Sequence, residues 1–580
     1  MKVIRPVVSG TMWRDTVAQP SRRRFVQGLL GSSFLGAAAV RADSSPGPVN
    51  RQEELHGPVF NLVIEEIAVN FTSHPRMATA INGSIPAPLL RWREGEEVII
   101  NVTNRLRETT SLHWHGIILP YQMDGVPGLS YGGIAPGETF QFRFRVQQSG
   151  TYWYHSHSAF QEMTGLYGAI IVEPREGEVD RAERDHVLLL SEWTDENPAT
   201  VFRKLKSLGH YYNFSQPTLP EFLRDIRNQG LSQAISRRDM FSAMRMKPTD
   251  LGDLSGATLH YLVNGRTADF ADLRLFSPGE RVRLRIINGA GNTFFDVRIP
   301  GLPMTVVQSD GINVVPITVD ELRCGPGETY DVLVDPVEQA YTFFAETMDR
   351  SGYAFATLAT RAGLQAPLPE RRRIQWLSMS DMMGAGSHEG HTASPTTGHD
   401  HGAVSEPVIA RHASTEFGPS TDMRVDIPRT NLDDPGVGLR EATHRVLTLG
   451  DLRARSGPYD ARRPGREIEL HLTGNMERYT WSIDGLEYGQ STPIHFREGE
   501  RLRVHLHNDT MMTHPMHLHG MWSDLEDAQG NFLTRRHTLP VQPGQRVSFS
   551  VTADAPGRWA WHCHLLLHMD AGMFREVIVA

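Results

Sequence analysis

The chain has 580 residues, with 58 Lys and Arg against 67 Asp and Glu and a net charge of −9. That length exceeds one ordinary core and calls for several domains, while 39% hydrophobic residues, 52 Gly and 36 Pro describe a turn-rich globular chain rather than a disordered or coiled one. The acidic balance offers no footprint for nucleic acid, and no run of eighteen apolar residues is present for stable membrane insertion.

At the start, Ser21-Arg22-Arg23-Arg24-Phe25-Val26-Gln27 precedes a short apolar run, Gly28 to Val40, and then Val40-Arg41-Ala42. This order of arginine pair, apolar segment and small-residue site predicts a twin-arginine signal over residues 1–42, and hence export of a folded chain to the periplasm. Residues 45–176 form the first predicted domain. Gly95-Glu96 opens an alternating segment, VIINVTN, that ends at Asn104, and period-two alternation is the mark of a strand with one buried face. Nine residues on stands His113-Trp114-His115-Gly116. A turn, Pro136-Gly137-Glu138, leads into FQFRFRV and, eighteen residues after its Gly, His155-Ser156-His157.

The same frame recurs in a second domain, 177–365, as Gly279-Glu280 to Asn288 and Pro326-Gly327-Glu328. Here the matching positions are Val297, Ile299, Ala345 and Thr347, none a good metal ligand, so this copy reads as a spacer. An insertion over about 195–250 is partly helical in pattern (FLRDIRNQG, ISRRDMFSAMRM), and Met240, Met244 and Met246 fall at near-helical spacing as core. Residues 366–440 are rich in Pro, Gly, Ser and Thr, carry His388, His391, His399 and His401, and read as a flexible linker. The third copy, 441–580, returns to the first pattern: Gly499-Glu500 to Asn508, His517-Leu518-His519-Gly520, Pro543-Gly544-Gln545 and His562-Cys563-His564. Three repeats of short strands and tight turns predict an all-β chain of antiparallel Greek-key sandwiches.

Residues i and i+2 of a strand share a face, so each His-x-His presents two imidazoles about 7 Å apart at the α carbons. Four such pairs in two matched registers supply eight ligands, and a metal cluster held between the first and last domains follows. Cys563 lies on the opposite face of its strand. With His514, His568 and Met573 it makes two imidazoles, a thiolate and a thioether, the set of a blue copper centre with a weak axial Met. An electron collected there has a bonded path of about 10 Å to His562 and His564. Cys324, with no His nearby, reads as a packed thiol.

HWHG, HSH, HPMHLHG and HCHLLLHMDAGM together resemble the multicopper oxidases across the mature chain, and the leader, MRMKPTD and HCHLLLHMDAGMF resemble the periplasmic copper-resistance oxidases among them. The resemblance implies three cupredoxin-like sandwich domains and four copper ions. His113 and His517 would hold the type 2 copper, and His115, His155, His157, His519, His562 and His564 the type 3 pair. His514, Cys563, His568 and Met573 would hold the type 1 copper. It nominates Asp124, in YQMDGVPG, as the acid that serves dioxygen reduction. A second acid, found in cuprous-oxidase relatives directly after the type 1 His, is replaced by Met569, with Asp570 one place later. The partners implied are dioxygen and an electron donor, Cu(I) or a small phenol. Met511 and Met512 stand before His514 with Asp509 beside them, and thioethers favour Cu(I), so these three are candidates for docking substrate copper. The alternatives are a laccase-like phenol oxidase, identical in its copper ligands, and a copper-sequestering protein with incidental oxidase activity.

Overall fold

The computed structural model describes residues 52–215, 218–243, 247–384 and 408–580. The expected signal over 1–42, Met244, Met246 and the four histidines of the expected linker lie outside the described residues. Among the described residues, no helix is long and apolar enough to cross a membrane.

Each repeat builds two sheets. The first pairs a four-stranded sheet (Arg76–Ile81, Val59–Val69, Glu97–Asn104, Thr139–Arg145) with a five-stranded one that ends in Gly150–His155 and His113–His115; the second and third repeats each pair a six-stranded with a five-stranded sheet. Alternation explains the layering. In Glu97–Asn104 the residues Val98, Ile100 and Val102 are buried against the facing sheet while their neighbours are partly exposed. The sheets are mixed rather than purely antiparallel: Val59–Val69 runs parallel to Glu97–Asn104, Arg184–Trp193 to Val282–Asn288, and Arg466–Asn475 to Arg501–Asn508. A Greek key that returns its opening strand beside the repeat's central strand produces these parallel contacts.

The repeated Asn has one structural duty. Asn104 Nδ2 donates to the carbonyls of Glu108 and Ile134, Asn288 Nδ2 to those of Thr293 and Cys324, and Asn508 Nδ2 to those of Met512 and Val541. The three Oδ1 atoms accept from the amides of Leu106, Ala290 and Thr510. A buried amide thus replaces the ladder partners that a loop lacks, and it fixes where the chain re-enters the sheet. The Gly of the second landmark donates its N–H to that same Asn carbonyl in all three copies, with φ of 81°, 85° and 62° at Gly137, Gly327 and Gly544.

The insertion forms helices Pro198–Ser207, Leu219–Gln229 and Leu231–Ala243. The described parts of the expected linker, 366–384 and 408–440, are packed: Leu377, Met382, Met423, Val425 and Leu432 are buried, and Arg372 pairs with Glu321 and Glu346. Single apolar residues laid over finished sheets bury without any period, which is why no periodicity marked this stretch as ordered.

Candidate metal centres

Register places the histidines. His113–His115 pairs with Gly150–His155 so that His113 faces His155, and His514–Leu518 pairs with Gly557–Cys563 so that His517 faces His562. In the middle repeat Val297 faces Ala345, the same partnership without imidazoles.

The eight imidazoles of the two outer repeats gather in three sets whose ring nitrogens lie within 4.8 Å of one another: His113, His115 and His517; His115, His155 and His564; and His157, His519 and His562. The His562 Nε2 is 3.1 Å from that of His519 and 3.3 Å from that of His157. Outward-facing nitrogens are anchored. His113 Nδ1 lies 2.8 Å from the Asp124 carbonyl, His517 Nδ1 2.7 Å from the His537 carbonyl and His562 Nδ1 2.9 Å from the Cys563 carbonyl. Nε2 of His113, His155 and His517 and both ring nitrogens of His564 are buried without a hydrogen-bond partner. Orphaned acceptors in that number are costly unless a cation takes their lone pairs, so this donor set fits borderline transition metals. Burial first, and then crowding by other imidazoles, holds His115, His517, His519 and His157 well below the ordinary His pKa, in the neutral form that ligates.

Behind the same strand lies the second set. Cys563 Sγ is 3.4 Å from His514 Nδ1 and 3.9 Å from His568 Nδ1, and the two nitrogens are 3.2 Å apart. Met573 is fully buried and its carbonyl accepts the Cys563 N–H, while its own N–H donates to the His568 carbonyl. Burial raises the Cys563 thiol above its usual pKa, so a thiolate there requires an adjoining cation.

Asp124 lies on the first cluster. Its carboxylate is 2.9 Å from His519 Nδ1 and 3.4 Å from His113 Nδ1. The chain can turn there because Gly125 adopts φ 81° and a Cβ at that residue would meet the Leu112 carbonyl oxygen at 1.7 Å. Asp570, by contrast, is exposed.

Profiles of the multicopper oxidase family match residues 63–177, 184–366 and 461–580. The chain belongs to the multicopper oxidase family. It is 50% identical to the copper resistance protein A homolog of Pseudomonas syringae pv. tomato, over 96% of this chain and 99% of that protein. To copper resistance protein A of Escherichia coli it is 48% identical, over 96% and 99% respectively. The solved multi-copper oxidase of Pseudomonas thermotolerans superposes with a TM-score of 0.58 at 20% identity, covering 91% of this chain and all of that one, and so shares the fold. This multicopper oxidase is therefore a copper-dependent oxidoreductase with dioxygen as acceptor.

Several groups at the oxidase's centres escaped sequence reasoning. Asp253, just after the insertion, lies 2.8 Å from His568 Nε2, and Trp481 stacks on the same ring at 3.8 Å. Glu162 approaches His155 Nδ1 at 2.7 Å, and burial pushes its pKa up to about 8. None belongs to a motif; only the fold brings them in. The middle domain also contributes Gly327, where an added Cβ would come 2.9 Å from His564 Cδ2 and 3.1 Å from His115 Cε1, so it does more than separate its neighbours. None of the expected docking trio faces solvent. Met511 and Met512 are buried in the core, and Asp509 turns away to accept the Val425 N–H and face His471 Nδ1 at 2.7 Å. Its carboxylate is thereby held on the buried side of the loop, away from solvent.

Proposed function

We propose that the chain is a cuprous oxidase of copper resistance, working in the periplasm after twin-arginine export and holding four copper ions. His514, Cys563, His568 and Met573 would hold type 1 copper, His113 and His517 type 2, and His115, His155, His157, His519, His562 and His564 the type 3 pair. Bound copper supplies one-electron exchange at the first centre and the four-electron reduction of dioxygen to water at the cluster.

The chain's own residues do the rest. Cys563 is joined by peptide bonds to His562 and His564, so the strand that ends at the thiolate carries one cluster imidazole and the residue after it carries another. Asp124 sits between His113 and His519, where its carboxyl can hold and deliver a proton. Burial of seven of the eight cluster imidazoles, with His157 partly exposed, keeps most bulk water off the cluster. The observation carrying the oxidase assignment is the placement of Cys563 against His514 and His568 on one face with the three imidazole sets on the other. Cu(I) as donor is supported by the near full-length likeness to the two copper resistance proteins.

Metal analysis and an absorption spectrum of the purified protein, with oxygen uptake measured on Cu(I) and on a substituted phenol, test this reading. Four coppers, a blue band and faster turnover of Cu(I) are expected. Preference for the phenol would make it laccase-like, and a copper count far above four with negligible oxygen uptake would make it a sequestering protein.

A further inference from the structure

A second convergence of ligand atoms lies outside both copper centres. The Nδ1 atoms of His412 and His471, a carboxylate oxygen of Glu416 and one of Asp509 all fall within 4.8 Å of one another. His412 Nδ1 is 2.7 Å from Glu416 Oε2 and 3.7 Å from Asp509 Oδ2; His471 Nδ1 is 2.7 Å from Asp509 Oδ2 and 3.4 Å from Glu416 Oε2. Both carboxylates are buried, and every ion pair they make among the described residues is with these two imidazoles. No Arg or Lys of the described residues neutralises them.

With both rings neutral, hydrogen bonding leaves the group unbalanced. Each ring also points its Nε2 at a carboxylate, His412 at Asp426 (3.4 Å) and His471 at Glu469 (3.6 Å), yet neither Nε2 has a hydrogen bond. A neutral imidazole carries one N–H and cannot serve acceptors at both nitrogens. A cation on the Nδ1 side resolves this, since the remaining N–H then faces the outer carboxylate, the usual arrangement around a metal-bound His. From this geometry we infer that His412, Glu416, His471 and Asp509 bind one divalent transition-metal ion of borderline hardness, Zn²⁺ or Cu²⁺. Two imidazoles and two carboxylates suit a four-coordinate ion of that class and lack the thiolate or thioether that Cu(I) selects.

The ligands come from three separate stretches: the turn Ser414–Phe417 with its preceding His412, the strand Arg466–Asn475, and the loop after Asn508. An ion there ties the 408–426 segment to the last domain, alongside the Val425 to Asp509 and Asp422 to Gly474 bonds. Asp509 lies five residues before His514, so the staple also steadies the loop that leads to the thiolate centre.

The test loads the whole protein with copper, adds excess Zn²⁺ or further Cu²⁺, removes loose metal and counts what stays. One equivalent beyond the oxidase coppers is expected, and the double variant H412Q/E416Q should lose it, with affinity down roughly 100-fold or more and the blue colour kept. Whether zinc or copper fills the position identifies the resident ion, and either supports the inference. Equal metal counts in wild type and variant overturn it. Should the variant fail to fold, a Co²⁺ titration of the copper-loaded wild type decides: tetrahedral ligand-field bands saturating at one equivalent support the site, and their absence overturns it. Neither readout depends on the oxidase donor.

Discussion

The outer domains and the middle domain share one frame and differ in what hangs on it. In all three, an Asn amide closes the same loop and a Gly N–H returns to the Asn carbonyl. The strand pairing is also common: His113 with His155, Val297 with Ala345, His517 with His562. Where the outer copies place imidazoles, the middle one buries Val297, Ile299, Ala345 and Thr347. Folding information and metal chemistry are therefore carried by different residues of one repeat, and each is expected to be removable without the other.

The largest effect should come from Cys563→Ser. Loss of the thiolate should abolish the blue band and lower oxidase turnover by roughly three orders of magnitude or more, while the three imidazole sets keep their copper. Metal analysis with an absorption spectrum checks this. Retained colour would mean that the thiolate is not the ligand that separates the last domain from the others.

The frame itself is tested by Asn288→Ala in the middle domain. Two buried carbonyls and one amide lose their partner, a cost of about 2–4 kcal/mol, read as a fall in melting temperature with copper content and colour unchanged. Asn508→Ala should cost a similar amount but also shift the blue band, because its loop runs directly into His514. If the middle-domain variant bleached the protein as well, frame and ligand would not be separable.

A smaller, pH-dependent difference is expected from Glu192, buried in the middle domain and bonded by Asn292 and Thr293. Burial raises its pKa from 4.5 to about 7. The folded state thus holds this proton more tightly than the unfolded chain, so the stability it lends is complete below about pH 4.5 and is lost as the pH climbs to about 7. Relative to Glu192→Gln, the wild type should lose roughly 1–3 kcal/mol between pH 5 and pH 8 by denaturant unfolding. Parallel curves would show that the carboxyl is not desolvated as its surroundings require.

Most of the frame and the gathering of the candidate imidazoles were legible in the sequence alone, because repetition at fixed spacing encodes register, and register on a strand encodes which side chains share a face. What could not be read depends on contacts between stretches far apart in sequence. Asp253 reaches His568 across more than three hundred residues, and Glu162 approaches His155 from a turn with no distinctive pattern. The packed parts of 366–440 and the group around His412 and His471 were hidden for the same reason: their partners belong to other strands, and their own sequence has turn composition. Asp509 misled because adjacency to Met511 suggested a shared task, whereas the bend after Asn508 turns it to the opposite side.

That bend bears on the smallest expected effect. Met511 and Met512 are 3% and 2% exposed, inside the core rather than on a path to solvent. Replacing both with Leu conserves volume and apolarity, so stability should change by less than about 1.5 kcal/mol per site. Soft thioether sulfur is what distinguishes Met from Leu toward Cu(I), and a buried sulfur without access to the ion cannot exercise that preference. The double variant should therefore slow oxidation of Cu(I) and of a phenolic dye by the same factor, within about twofold. A selective fall for Cu(I) of about tenfold or more would instead mean that the loop opens to admit the ion, and that the last domain carries a substrate-docking function which strand register does not reveal.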